Sequence, residues 1–487
     1  MPVVEIDAGR LEGRRTGDGV AFEGVPYATA PRFAPPEPAP GWAGVREALR
    51  PGPAPPQPRR AAAVFTHGEL GATDEECLHL NVFGPALDGR RPVFVWIHGG
   101  GFAIGHAGAS LYAGDRLAAA IDAVVVTVNY RLGSLGWLGH PDLVAEPGTP
   151  AANWGLLDQI AALEWVKRNI EAFGGDPGAV TLAGQSAGAL SAMDLLVAPR
   201  AAGLFRRVAL QSPPLDDVAQ PAGRATAWAE ALSAAAGGTV AFDAARLRSL
   251  EADEVVALHE QLLEQPSWRG TRGGALPTID PGSLPASPVD LPGARPEIDV
   301  LVGHTADEGT FFFDAPWRPP PPPERVPDIV AHLCPDEDAR DVLDRYDGDL
   351  VAIATDAMIA APVARWAEAR AKAVGDRSSV YRYRVDHPGA GAQLRATHTV
   401  EVPLLFGTWQ DGGPGERLGG QASGARAVSA ELTSAWGRFV RGESPGWARE
   451  GINEGPTNSL HITLDTKRKS VYSFPRWAQV SAHEGET

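Results

Sequence analysis

The sequence predicts a mixed α/β fold, a mostly parallel sheet with helices over both faces, on three observations. First, short apolar runs recur: Pro92 to Ile97, Ala123 to Val128, Val180 to Ala183 and Ile298 to Gly303. Each is apolar at nearly every position rather than at alternate ones, the pattern of strands buried on both faces. Second, an amphipathic segment lies between two of these runs. Leu156, Ile160, Leu163, Val166, Ile170 and Phe173 fall at helical spacing, with Lys167 and Arg168 facing outward. Strands that alternate with helices pair in parallel, because a parallel return needs a crossover of that length. Third, hydrophobic residues make up 44% of 487 positions, enough for one large core.

Taken in order, residues 3 to 33 read as short strands joined by turns: Val3 to Ile6, then Val20 to Phe22, with Asp18-Gly19 as a hairpin turn. Pro and Ala crowd residues 31 to 63, an irregular surface stretch, and Leu78 to Phe83 is a further strand. The Leu156–Phe173 helix stops at Gly174-Gly175-Asp176-Pro177, where Gly and Pro cannot continue it. From Pro213 the chain becomes helical and Ala-rich, over Ala225 to Ala236 and Ala252 to Leu263. Residues 213–295 and 314–375 are expected to be helical and loop insertions lying over the sheet of a single catalytic domain, 1–487. Pro319 to Pro323 is a stiff surface loop. Ser379 to Val385 and a helix around Ala430 to Val440 close the core.

A net charge of −17 argues against nucleic acid or an anionic membrane as partner. No apolar run approaches the ~20 residues of a membrane span, and the first ten residues lack a basic segment followed by an apolar one. Two cysteines, Cys77 and Cys334, make no disulfide framework. A cytoplasmic protein, monomeric or weakly self-associating, is the expectation.

The chemistry centres on Val180 to Leu190. Val180 to Ala183 is a strand, Gly184-Gln185-Ser186-Ala187-Gly188 is G-x-S-x-G, and Ala187 to Leu196 continues as a helix. Strand, sharp turn and helix are the context of a nucleophile elbow. The five letters alone would be weak in a chain with 56 glycines. A serine nucleophile also needs donors for an oxyanion, a base, and an acid to orient the base. His98-Gly99-Gly100-Gly101 follows a buried strand upstream and offers unobstructed N–H groups. His304 to Gly309 places carboxylates just past a strand end, and seven of twelve histidines follow Ser186, among which spacing does not choose.

At this point the chain resembles the type B carboxylesterases, the α/β-hydrolase family that includes para-nitrobenzyl esterases and cholinesterases. The resemblance runs nearly end to end. It includes Gly24-Val25-Pro26-Tyr27, Glu75-Glu76-Cys77-Leu78, His98 to Phe102, Asn129 to Gly133 and Asn153 to Gln159. It continues through Phe173 to Pro177, the elbow, Leu210-Gln211-Ser212, Asp307-Glu308-Gly309 and His398 to Pro403.

It implies Ser186 as nucleophile, His398 as base and Glu308, not Asp307, as acid. The N–H groups of Gly100, Gly101 and Ala187 would form the oxyanion hole. Ser212 and Gln185 would support the triad. Phe102, Trp154, Phe312 and Phe406 are pocket candidates, with Phe311 and Trp409 behind them. Arg131 with Asp158, and Arg32 with Glu75, resemble internal ion pairs, and His98 a packing residue. His106, His304 and His387 read as surface or satisfied histidines.

The resemblance implies an acyl-enzyme hydrolase of uncharged small to medium esters. An amidase or carbamate hydrolase with the same triad is the alternative, and a silent binding protein of this fold a remoter one. No cofactor or metal is called for. Cys77 stands where secreted relatives have a disulfide cysteine, but Pro55 stands in the partner's place, so a free buried thiol is expected. Gln185 replaces a common Glu, Pro213-Pro214 replace Gly-Ser, and residues 58 to 74 lack the tryptophan that stacks on choline in cholinesterases.

Overall fold

The structure is a computed structural model. It describes residues 1–59, 70–144, 150–215, 218–237, 242–265, 276–390, 393–410, 414–420, 424–450 and 459–462. The apolar runs form the middle of a ten-stranded sheet. Its strands in chain order are β1 Arg14–Arg15, β2 Val20–Pro26, β3 His79–Gly84, β4 Arg91–Ile97 and β5 Val124–Val128. They continue with β6 Gly175–Gln185, β7 Arg207–Gln211, β8 Asp299–Thr305, β9 Val380–Val385 and β10 Ser459–Ile462. Across the sheet the order is β10-β9-β8-β7-β6-β4-β5-β3-β2-β1. The seven strands from β10 to β5 are parallel. The last three pair antiparallel at one edge.

Two apolar layers flank the sheet, as the continuous strand patterns require. Along β4, Val93, Val95 and Ile97 enter one layer while Phe94 and Trp96 enter the other. Successive side chains point to opposite faces, so both must be apolar where both are covered. The first layer takes the helix Trp154–Asn169, through Leu156, Ile160, Leu163 and Val166. The helix ends before Phe173, whose residues close it as a 3₁₀ turn. The second layer takes the helix Ala425–Val440 through Val428, Leu432, Trp436 and Phe439.

Near the N-terminus, Val3–Ile6 pairs antiparallel with Gly9–Glu12, and Thr16 N–H donates to Gly19 O across the hairpin turn. Within 213–295 lie the helices Ala222–Ala235, Ala244–Ser249 and Ala252–Leu263. Within 314–375 lie Val326–Leu333, Ala339–Arg345, Leu350–Thr355 and Ala361–Val374. Among the described residues, one helical run, Leu350–Arg377, is long and apolar enough to cross a membrane, with a mean hydropathy of 1.4 over 18 residues. Of that window 61% is buried inside the protein, so it packs as a core element.

Two ion pairs tie loops to this frame. Arg131 grips Asp158 in a fork, Nε to Oδ2 at 2.8 Å and Nη2 to Oδ1 at 2.7 Å, with both residues buried. Arg32 pairs with Glu75 and also donates to Leu247 O and Leu250 O, anchoring the helical insertion. Cys77 is a buried free thiol, as Pro55 implies, and burial raises its pKa.

Candidate active site

Strand β6 ends at Gln185, the helix Ala187–Val197 begins one residue later, and Ser186 makes the turn between them. Its φ of 57° and ψ of −126° are strained for a residue with a side chain, a cost of about 1–3 kcal/mol. Both flanking glycines are sterically required. A Cβ on Gly184 would sit 2.4 Å from Gly188 backbone, and one on Gly188 would sit 2.0 Å from Ile97 O. The turn thus presses the first helical turn against strand β4. Ser186 N–H donates to Gln211 O at 2.9 Å, which fixes the elbow, and the residue is half-exposed.

The glycine run lies across from it. Gly100 has φ +118°, and a Cβ there would meet Ile104 O at 2.1 Å. Gly101 has φ +61° and open space where its Cβ would be. The N–H groups of Gly100, Gly101 and Ala187 donate in none of the described backbone hydrogen bonds. The run lies close to the serine, since a Cβ on Gly99 would sit 3.1 Å from Ser186 Cβ, and unpaired N–H groups near a nucleophile suit a developing oxyanion.

His398 Nδ1–H donates to Glu308 Oε2 at 2.5 Å, and both side chains are buried. Glu308 Oε1 accepts from Thr305 N–H at 2.7 Å. Burial pushes the Glu308 carboxyl up. The charge and hydrogen bond of His398 outweigh it, with help from Ser212 and Thr305, and leave the pKa below the usual value. An ionised Glu308 holds the proton on Nδ1 and leaves Nε2 as the acceptor. That nitrogen receives the Gln185 amide N–H at 2.9 Å. Ser186 itself makes no side-chain hydrogen bond among the described residues.

A second buried carboxyl lies behind the pair. Ser212 Oγ–H donates to Glu401 Oε1 at 3.1 Å. Burial, then the negative charge of Glu308, raises the Glu401 pKa from 4.5 to about 8, so this side chain is neutral at pH 7. Asp307 does other work: its N–H donates to Ala396 O at 2.9 Å, and its Oδ2 accepts from Ala396 N–H at 3.1 Å. It therefore brackets the backbone two residues before His398.

The aromatic candidates divide sharply. Phe312 and Phe311 are half-buried, with ring centroids 5.2 Å and 5.5 Å from His398. Trp317 joins Phe311 at 5.4 Å. Phe102, Trp154 and Phe406 do not line an open pocket, because each is fully buried. Phe102 packs on Trp137, Trp154 Nε1–H donates to Leu138 O, and Phe406 packs on Trp96. Trp409 is buried as well. An aromatic residue beside a functional loop still turns to the core when that is where apolar area is covered.

His98 stacks on Tyr130 at 4.6 Å, donates from Nδ1 to Gly99 O, and is kept neutral by burial, its pKa lowered to about 4. His106 and His387 are buried rather than at the surface. His304 is half-buried and donates from Nδ1 to Thr305 O. Sequence reasoning missed Glu401, Trp317 and the contact of Gln185 with His398. Glu401 lies three residues after His398, at the start of the helix Glu401–Phe406, and that closeness in sequence was the one local signal for any of them.

The Carboxylesterase family profile matches residues 1–325. The chain belongs to the carboxylesterase family. It is 33% identical over 464 residues to the para-nitrobenzyl esterase of Bacillus subtilis (strain 168), covering 93% of this chain and 91% of that one. It is 33% identical over 475 residues to the phenmedipham hydrolase of Pseudarthrobacter oxydans, covering 91% and 90%. The solved structure of a thermophilic para-nitrobenzyl esterase superposes with a TM-score of 0.79 at 32% identity, covering 93% of this chain and 92% of that one. The fold is that of the α/β-hydrolases, and the chain is a carboxylic ester hydrolase.

Proposed function

We propose that this carboxylesterase works through an acyl-enzyme on Ser186, with His398 as base and Glu308 as orienting acid. The observation that carries the reading is the buried His398–Glu308 pair, whose Nε2 accepts from Gln185, one residue from the strained serine. His398 takes the Ser186 proton as Oγ attacks the ester carbonyl carbon. The N–H groups of Gly100, Gly101 and Ala187 bind the oxyanion, and His398 returns the proton to the leaving alcohol. Water then repeats the sequence and releases the acid. Glu308 keeps Nδ1 protonated and stabilises the imidazolium.

The substrates are uncharged small to medium esters. Among the described residues, the groups with a hydrogen bond or ring contact to His398 are Glu308, Gln185, Phe311 and Phe312, so one carboxylate is already committed and the rest are neutral or aromatic. Apolar acyl or aryl groups gain about 25 cal/mol for each Å² covered against such a wall. A panel of 4-nitrophenyl esters of increasing acyl length, with Ser186→Ala as blank, tests both statements. Turnover should rise with chain length to a maximum and vanish in the variant, a loss on the order of 10⁴–10⁶ in kcat. A folded Ser186→Ala enzyme keeping a tenth of wild-type turnover would end the assignment.

A second reading, hydrolysis of amides or carbamates by the same groups, is favoured by the phenmedipham hydrolase relative. Nucleophile and oxyanion donors would be the same, and the difference lies at the leaving group.

A further inference from the structure

The proton that His398 delivers must go to the leaving heteroatom, which therefore comes within hydrogen-bond distance of Nε2. Gln185 occupies that position in the resting enzyme, its amide nitrogen 2.9 Å from the same atom. A single lone pair on Nε2 cannot accept from Gln185 and Ser186 together. The amide must therefore move aside when Ser186 takes over, and it then stands beside the leaving group. Gln185 is 2% exposed, so its polar atoms are largely withdrawn from bulk water. Its Oε1 makes no hydrogen bond among the described residues. The missing side chain of Gly99 gives it room, since a Cβ there would lie 2.8 Å from Oε1.

A secondary amide needs something that an ester does not. Once Ser186 has added, the nitrogen must present its lone pair to His398, which turns its own N–H elsewhere into a water-poor cleft. A buried N–H without an acceptor is costly.

We propose that Gln185 reads the leaving group: its amide N–H holds His398 in the resting enzyme, and its carbonyl oxygen accepts from the N–H of a secondary amide as the C–N bond breaks. The inference rests on the Ser186–His398 reading above. The step balances without a further reactant. The Ser186 Oγ–acyl bond forms, the C–N bond breaks, and the serine proton passes through His398 to the departing amine. Water later gives hydroxide to the acyl carbon and a proton to Ser186.

The test compares kcat/KM for the 4-nitroanilide and the 4-nitrophenyl ester of one acyl group. Wild-type enzyme should turn over both, and Ser186→Ala neither. Gln185→Met, similar in size but without an acceptor, should lower the anilide-to-ester ratio about tenfold, the effect of one lost hydrogen bond at an N–H with no other partner. Gln185→Glu keeps an oxygen at the same place and should hold the ratio within about threefold. An unchanged ratio in Gln185→Met overturns the proposal. So does wild-type enzyme that cleaves the ester but not the anilide above the Ser186→Ala blank, while leaving ester hydrolysis standing. Ester turnover surviving in Ser186→Ala would instead sink the underlying assignment. Thermal unfolding checks that each variant folds. If Gln185→Met does not, Gln185→Asn withdraws the acceptor by one methylene and should lower the ratio in its place.

Discussion

Replacing Glu401 by Gln should make the enzyme more stable in alkali. Glu401 is fully buried, 3.1 Å from the Ser212 hydroxyl and within the field of the ionised Glu308. Desolvation and that like charge raise its pKa from 4.5 to about 8 in the folded protein. A carboxyl with a raised folded pKa binds its proton more tightly in the native than in the unfolded chain. Its contribution is therefore whole below about pH 4.5 and declines as pH climbs through about 8. At about 1.4 kcal/mol for each pH unit crossed between those values, the loss is on the order of a few kcal/mol. Glutamine is neutral at every pH and can still accept from Ser212, so the variant escapes this decline. Urea denaturation followed by tryptophan fluorescence, at intervals from pH 5 to pH 9, measures the difference in unfolding free energy. Taking that difference removes groups common to both proteins, including the buried Asp194, whose pKa is also raised. The curve should be nearly flat below about pH 5, rise in favour of Glu401→Gln through pH 6 to 8, and level off above. A constant offset at all pH values would refute the neutral Glu401, whatever the size of the offset.

Two further outcomes follow from the site. Glu308→Gln should lower kcat by about three to four orders of magnitude, because an amide in contact with Nδ1 favours the wrong tautomer. Asp307→Asn keeps an acceptor for Ala396 N–H and should stay within about tenfold of wild type, so a reversed ranking in folded variants would exchange their roles. The neutral wall of Phe311 and Phe312 should hydrolyse 3,3-dimethylbutyl acetate at least as efficiently as acetylcholine, read as kcat/KM at matched ionic strength. A tenfold preference for the cation would show that these rings, or Trp317 beside them, act as a cation–π site instead.

What the sequence made legible is what local backbone geometry dictates. Gly184 and Gly188 are readable as an elbow because the close approach of helix to strand β4 leaves no room for a Cβ at either, and such a requirement stays in neighbouring letters. The parallel strands are readable for a similar reason, since coverage on both faces forbids polar residues along Phe94-Val95-Trp96. The strand β10 escaped notice because Ser459–Ile462 is only four residues long and carries a serine and a histidine. Part of residues 58 to 74, the stretch without a stacking tryptophan, lies outside the described residues.

Contacts between distant parts of the chain were not legible, and they are what tunes the site. Gln185 and His398 are 213 residues apart, and Ser212 and Glu401 are 189 apart. Neither pairing leaves a trace in local spacing. The pocket aromatics went astray for the same reason: Phe102 follows the glycine run directly, yet the loop turns its ring onto Trp137 in the core. Phe311 and Phe312 reach His398 because their short helix starts next to Glu308, so one segment carries both the acid and the aromatic wall. That coupling has a consequence for change at this site. Substitutions that widen the pocket at Phe311 or Phe312 act on the two rings packed against His398, and should alter kcat as well as chain-length preference. A change at Gln185 acts on Nε2 and leaves the Glu308 contact at Nδ1 in place. On the proposal above, Gln185 sets leaving-group preference through Nε2 while Phe311 and Phe312 set acyl preference against the ring, so the two should be separable by mutation.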